Sequence, residues 1–197
     1  MEQSIIDTAR KYYRLAKMLD DLEAEDMFDK ELPEDVQSAF IRLYYAKAFE
    51  SEIEKCEDLL GEDTDEETVA AVMEAGQAAE SASDSAFGGI EAYSIEDKAF
   101  AKAIEGLSAG SETDGLKGLL FKLYKCEGII RMAERCSRSY PLYGMRALGA
   151  AQQDDEIMDL QQSIEQQTGI DIIGLFELRQ RLVEQIGVLI GKGGRFA

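Results

Sequence analysis

PEDVQSAFIRLYYAKAFESEIEKCEDLLG, residues Pro33–Gly61, is the stretch that decides the fold. Val36, Phe40, Leu43, Ala46, Ile53, Cys56 and Leu60 recur at helical steps, and Tyr44, Tyr45 and Phe49 widen the apolar line. Pro33 predicts the start of a helix, because its missing N–H costs nothing in a first turn. Gly61 predicts its stop.

The stretch has an echo 80 residues on. FIRLYYAKAFESEIEKC (Phe40–Cys56) aligns without a gap on LFKLYKCEGIIRMAERC (Leu120–Cys136), sharing Leu43/Leu123, Tyr44/Tyr124, Glu54/Glu134 and Cys56/Cys136. Two amphipathic helices obeying one period account for such a match more readily than a weak internal duplication does.

Working outward, the chain reads as an all-α bundle of about six or seven helices. Ser4 predicts the cap of a first helix carrying Ile5, Ala9, Tyr12, Leu15 and Leu19. Residues 20–35, with nine acids, read as a helix end and solvated loop. The Ala-, Gly- and Ser-rich residues 69–92 predict a helix of small side chains, broken at Gly88-Gly89. Ser94-Ile95-Glu96-Asp97 predicts the cap of a short helix through Leu107. A polar loop over 108–115 is the best internal boundary. Ser137–Gly144 reads as a turn, and 145–167 as one or two helices. Asp171 caps a last helix whose apolar face includes Phe176, Leu182, Ile186 and Leu189. A face this wide wants two neighbours, so that helix is expected at the centre of the bundle or in an oligomer contact.

A chain of 197 residues is long enough for a sizeable core. Its formal charge is −19, and 29 of the 40 acids but only 10 of the 21 bases fall in residues 1–113. Residues 1–113 therefore form an acidic helical half and 114–197 a charge-neutral half, expected to fold as one domain. Such asymmetry points to an electrostatic partner or a solubility role. Three cysteines without CxxC spacing suit reduced thiols and a cytoplasmic setting. No run of about 18 apolar residues is present, so no membrane span is expected, and the first residues carry no apolar signal core.

There is no histidine, which removes the Ser-His and Cys-His nucleophile pairs and histidine metal sites. Carboxylate sites for Mg²⁺ or Mn²⁺ survive that loss. Glu54 and Glu57 are the candidate ligands, three residues apart on the helix of Pro33–Gly61. The ExxE and ExxD spacing of all-α nucleotide pyrophosphohydrolases is met in form by Glu31/Glu34 and Glu62/Asp65, but one pair straddles Pro33 and the other lies in an acidic linker. Asp154, Asp155, Glu156 and Asp159 lack the second motif of prenyl-chain enzymes. Gly191-Lys192-Gly193-Gly194 lacks the Ser or Thr and the following helix of a phosphate loop.

The echo helix is basic. Lys117, Lys125, Arg131, Arg135 and Arg138 share one face, a stripe suited to phosphates, to the acidic half of the same chain or of a neighbouring copy, or to plain solvent. Direct nucleic-acid binding is disfavoured by the net charge. No cofactor is indicated. The expected function is non-catalytic: an adaptor, assembly subunit or structural component acting by contact with a protein partner or with copies of itself. The alternatives are an acidic mimic of nucleic acid that inhibits a basic protein, and a Mg²⁺- or Mn²⁺-dependent hydrolase using clustered carboxylates.

Overall fold

The computed structural model describes residues 2–24, 32–107, 115–136, 169 and 171–191. Among them are six α-helices and no strand: α1 (Glu2–Met18), α2 (Glu34–Glu57), α3 (Glu66–Glu96), α4 (Lys98–Glu105), α5 (Leu116–Cys136) and α6 (Ile172–Ile190), with a 3₁₀ turn at Leu19–Asp21. The bundle class expected from the periodicity is the one observed. The regions expected to form the 108–115 loop, the 137–144 turn and the 145–167 helices fall wholly or mostly outside the described residues.

α2 is the hub. It packs against α1, α3, α5 and α6, while α4 bridges α3 and α5. Residues 36–41 and 43–47 are buried without interruption, so α2 has no solvent face along that length. α6, expected at the centre of the bundle or in an oligomer contact, buries Arg179, Leu182 and Ile186 among its described residues and exposes Ile173, Val188 and Leu189. The wide apolar face was real, but α2 holds the centre because its own apolar residues surround it on every side.

The caps explain the boundaries. Asp65 accepts from the Thr68 N–H at 2.8 Å, Asp97 from Ala99 and Phe100 at 2.9 and 3.0 Å, and Asp171 from Gly174 at 3.0 Å. Pro33 stands at the N-cap of α2, whose first bond runs from the Gln37 N–H to the Pro33 carbonyl. α1 begins at Glu2, two residues before the expected cap at Ser4, and Ser4 serves inside it as carbonyl acceptor for Thr8. α2 ends at Glu57, ahead of Gly61.

The largest correction is α3, which runs unbroken through Gly88 and Gly89. Each glycine costs a helix about 1 kcal/mol. The buried Phe87 and Ile90 beside them each return about 1.5–3 kcal/mol, so continuity wins. Val72, Ala75, Ala79, Ala82 and Ala86 line the buried side of α3, which lies between α1 and α2. Gly88 is exposed, and a Cβ there meets nothing within 4 Å. Gly88→Ala is expected to stabilise the fold by about 0.5–1 kcal/mol. Urea unfolding checks this, and a lower midpoint would show that the glycine is needed.

The two charge halves share one core. Phe40 of α2 meets Phe121 at 5.1 Å and Tyr124 at 6.0 Å on α5, and Phe100 at 6.2 Å on α4. Phe87 of α3 stacks on Tyr124 at 4.9 Å. Across residues 108–114, Lys125 donates to the carbonyls of Glu105, at 2.8 Å, and Leu107, closing the C-terminal end of α4.

Candidate functional site: a cleft above a buried charge network

Beneath the surface where α2, α5 and α6 meet lies a network of buried ions. Glu127 of α5 is wholly buried and holds three cations. Lys47 of α2 is 2.9 Å away, Arg131 of α5 is 3.0 Å and Arg179 of α6 is 3.1 Å. Lys47 also pairs with Glu50 at 2.9 Å, and Arg131 reaches Asp84 at 2.5 Å and the Ser83 hydroxyl at 3.1 Å on α3. Among the described residues, three cations thus face three carboxylates. The guanidinium groups are backed by rings, Arg131 over Phe87 at 4.7 Å and Arg179 over Phe176 at 4.9 Å.

Burial alone would push the Glu127 carboxyl up. Lys47, Arg179 and Arg131 together overcome it and hold the group down at about 2. Glu57 and Glu80 move the other way. Burial raises both, helped by Asp58 beside Glu57 and by Asp84 and Glu50 near Glu80.

These directions set a pH profile. A depressed carboxyl stabilises the fold above its unfolded value near 4.3, and that stability disappears as pH falls toward 2. A raised carboxyl does the reverse, favouring the fold as pH drops from above the ordinary carboxylate range into it. The melting temperature is therefore expected to rise on mild acidification from pH 7 and to collapse between about pH 4 and 2. Circular dichroism melts across pH 2–8 check this. Glu127→Gln should flatten the acid limb, and an unchanged limb would assign it to other carboxylates such as Asp65 and Asp97, whose capping bonds lower them too.

Directly over the network, α2 and α6 diverge into a cleft of about 480 Å³. Lys47, Glu50 and Arg179 lie at its floor, all more than nine-tenths buried. Aromatic rings step along one wall: Tyr44 to Tyr45 at 4.9 Å, Tyr45 to Phe49 at 6.0 Å, and Phe49 to Tyr12 of α1 at 5.5 Å. Phe176, Val183 and Ile190 form the opposite wall. Carboxylates stand on both lips, Glu52 and Glu54 on α2, Glu177 and Glu184 on α6. The Tyr44 hydroxyl lies 3.1 Å from where a side chain at Gly187 would begin, so this glycine lets the helices close at one end.

The residues singled out in the sequence are scattered relative to this site. Phe176 lines the cleft, and Leu182 and Ile186 anchor α6 in the core. Leu189 is exposed on another face. The basic stripe is partly turned inward: Arg131 belongs to the network, Lys125 clasps α4, and Lys117 sits over the Phe121 ring at 5.8 Å. The Arg135 side chain and Arg138 lie outside the described residues. Glu54 is on the lip, while Glu57 points to the α2–α3 side near Gly76. Among the described residues no three Asp, Glu, Cys or His side chains converge to hold a metal ion. Cys126 donates to the Leu175 carbonyl at 3.3 Å, and burial pushes its thiol up to about 11.

Lys47, Glu127 and Arg179 were missed as a set. Each is a charge inside an apolar run, and the 80-residue echo places Lys47 and Glu127, opposite in sign, at the same aligned position. That coincidence was the available signal. The aligned positions also share their burial, as at Leu43/Leu123 and Tyr44/Tyr124. Comparison of the chain with protein-family models, with curated proteins and with solved structures finds no match.

Proposed function

We propose that this chain is a non-catalytic helical protein acting through protein–protein contact, as an adaptor, an assembly subunit or a structural component of a larger complex. The α2/α6 cleft is its contact surface. One observation carries the reading: an apolar trough, walled by aromatic rings and floored by a charge set that is already mutually paired, opens to solvent between two helices. Ions locked to one another at such distances hold geometry rather than turn over substrate. The absence of histidine and the raised thiols of Cys56 and Cys126 fit the same reading. Reduced thiols suit a cytoplasmic setting, and the strong negative charge disfavours direct contact with nucleic acid. No described helix is long and apolar enough to cross a membrane.

A photo-crosslinking residue at Gln180, on the α6 lip, tests this. In extract of the native cells it is expected to give a discrete, saturable adduct that is competed by excess unlabelled protein and lost in Val183→Asp. The same label at Met73, exposed on α3, is the control. Equal, unsaturable labelling at both positions would overturn the assignment.

A further inference from the structure

We infer that the occupant of the α2/α6 cleft is a basic amphipathic helix contributed by a protein partner. This rests on the contact reading above and adds the chemistry of what is contacted. The trough has two kinds of surface, arranged in parallel. Its walls are apolar, and both lips are acidic, with Glu52 and Glu54 along α2 and Glu177 and Glu184 along α6. A segment that satisfies both must present an apolar stripe flanked by positive charge. A helix with anchors at i, i+3 or i+4 and i+7 does so.

The cations at the floor do not oppose such a guest. Lys47 faces Glu50 and Glu127, and Arg179 shares Glu127, so the floor contributes little net field. Among the described residues, the lip cation Lys55 is paired with Glu52 at 2.5 Å. Glu177 and Glu184 are exposed; Glu184 accepts from Gln180 at 3.4 Å and its charge also acts on Lys55. The cleft therefore keeps an outward negative rim on a molecule whose overall charge is −19, and that combination steers a cationic segment toward it. The dimensions agree. α6 has 19 residues, about 28 Å of wall at 1.5 Å per residue, which matches about five turns of a guest helix. The cleft volume of about 480 Å³ takes its anchoring side chains rather than the helix itself.

Three synthetic 18-residue peptides test the inference by fluorescence anisotropy: a leucine–lysine sequence with helical period, the same composition with the period scrambled, and a leucine–glutamate sequence with helical period. The periodic basic peptide is expected to bind at least tenfold more tightly than either of the others, and to weaken at least fivefold between 50 and 300 mM salt. The double variant Glu177→Lys/Glu184→Lys should weaken it at least fivefold more than Glu74→Lys/Glu91→Lys, which makes the same charge change on the exposed side of α3. If the α6 reversals impair folding by circular dichroism, Glu177→Gln/Glu184→Gln replaces them with the same criterion. Equal binding of periodic and scrambled peptides, preference for the acidic peptide, or equal loss in the two double variants would overturn the inference. Those failures beside a specific crosslink at Gln180 would leave the contact surface standing with a different occupant. Failure of the crosslink together with a second copy of this chain in the cleft, seen as a dimer by light scattering that Val183→Asp abolishes, would overturn the heterologous helix.

Discussion

Glu127→Gln is expected to lower the melting temperature by roughly 10 °C. The substitution keeps the side chain's shape and removes only its charge, from among Lys47, Arg131 and Arg179. Breaking a buried ion pair by deleting one partner costs about 3–5 kcal/mol, because the surviving charges stay desolvated. For a domain of this size each kcal/mol moves the midpoint by about 2–4 °C. Differential scanning calorimetry at pH 7 measures the change, with Glu80→Gln as the comparison. Glu80 is a neighbouring carboxyl on the exposed side of α3 whose upward shift means its charge does not favour the fold, so Glu80→Gln should leave stability unchanged or raise it by up to about 0.5 kcal/mol. A midpoint for Glu127→Gln within 2 °C of the unmodified protein would mean that water reaches the three cations and that the network is no structural hub. The loss also bears on specificity. One carboxylate ties α2 to α5 and α6, so Glu127→Gln is also expected to broaden the amide NMR signals of those three helices if the network fixes their register, and unchanged sharp signals would reject that role.

Phe40→Ala is the second large effect, about 3–5 kcal/mol. The ring is fully buried and touches Phe121, Tyr124 and Phe100 on two other helices. Its removal leaves a cavity that rigid helices cannot close. Phe40→Leu keeps most of the volume and should cost less than half as much. Because the ring lies where the acidic and the charge-neutral halves meet, the loss is expected to shift one cooperative transition, with coincident urea curves from circular dichroism and tyrosine fluorescence. A split into two transitions would show that the halves fold separately, and a loss below about 1 kcal/mol would show that the cluster repacks.

The helices were legible because their apolar residues recur with period 3.6, and the cap at Asp171 was legible because an aspartate before an apolar run has one obvious task. Over 94–97 the capping box starts at Ser94 by sequence, but Ser94 lies inside α3 and Asp97 is the cap. α3 was misread at Gly88-Gly89, where tertiary burial of Phe87 and Ile90 outweighs local propensity. The wide apolar face of the last helix points to the bundle centre or to an oligomer contact. α2 holds the centre since its polar positions, Gln37, Ser38, Lys47 and Glu50, are buried as well, and no hydropathy pattern shows this. Gln37 donates to the Leu32 carbonyl at 2.6 Å, and Ser38 accepts from the Ala24 N–H at 3.0 Å. The cleft was invisible for a different reason. Its walls come from segments some 130 residues apart, and nothing local in either announces the other.

The lysine clasp between α5 and the end of α4 has a consequence for the chain as a covalent object. Residues 105 and 107 are gripped from beyond the 108–114 segment, and α2 is embraced by helices from both sides of it. A single protease cut inside that segment should leave two fragments that migrate together under native conditions and separate only in denaturant.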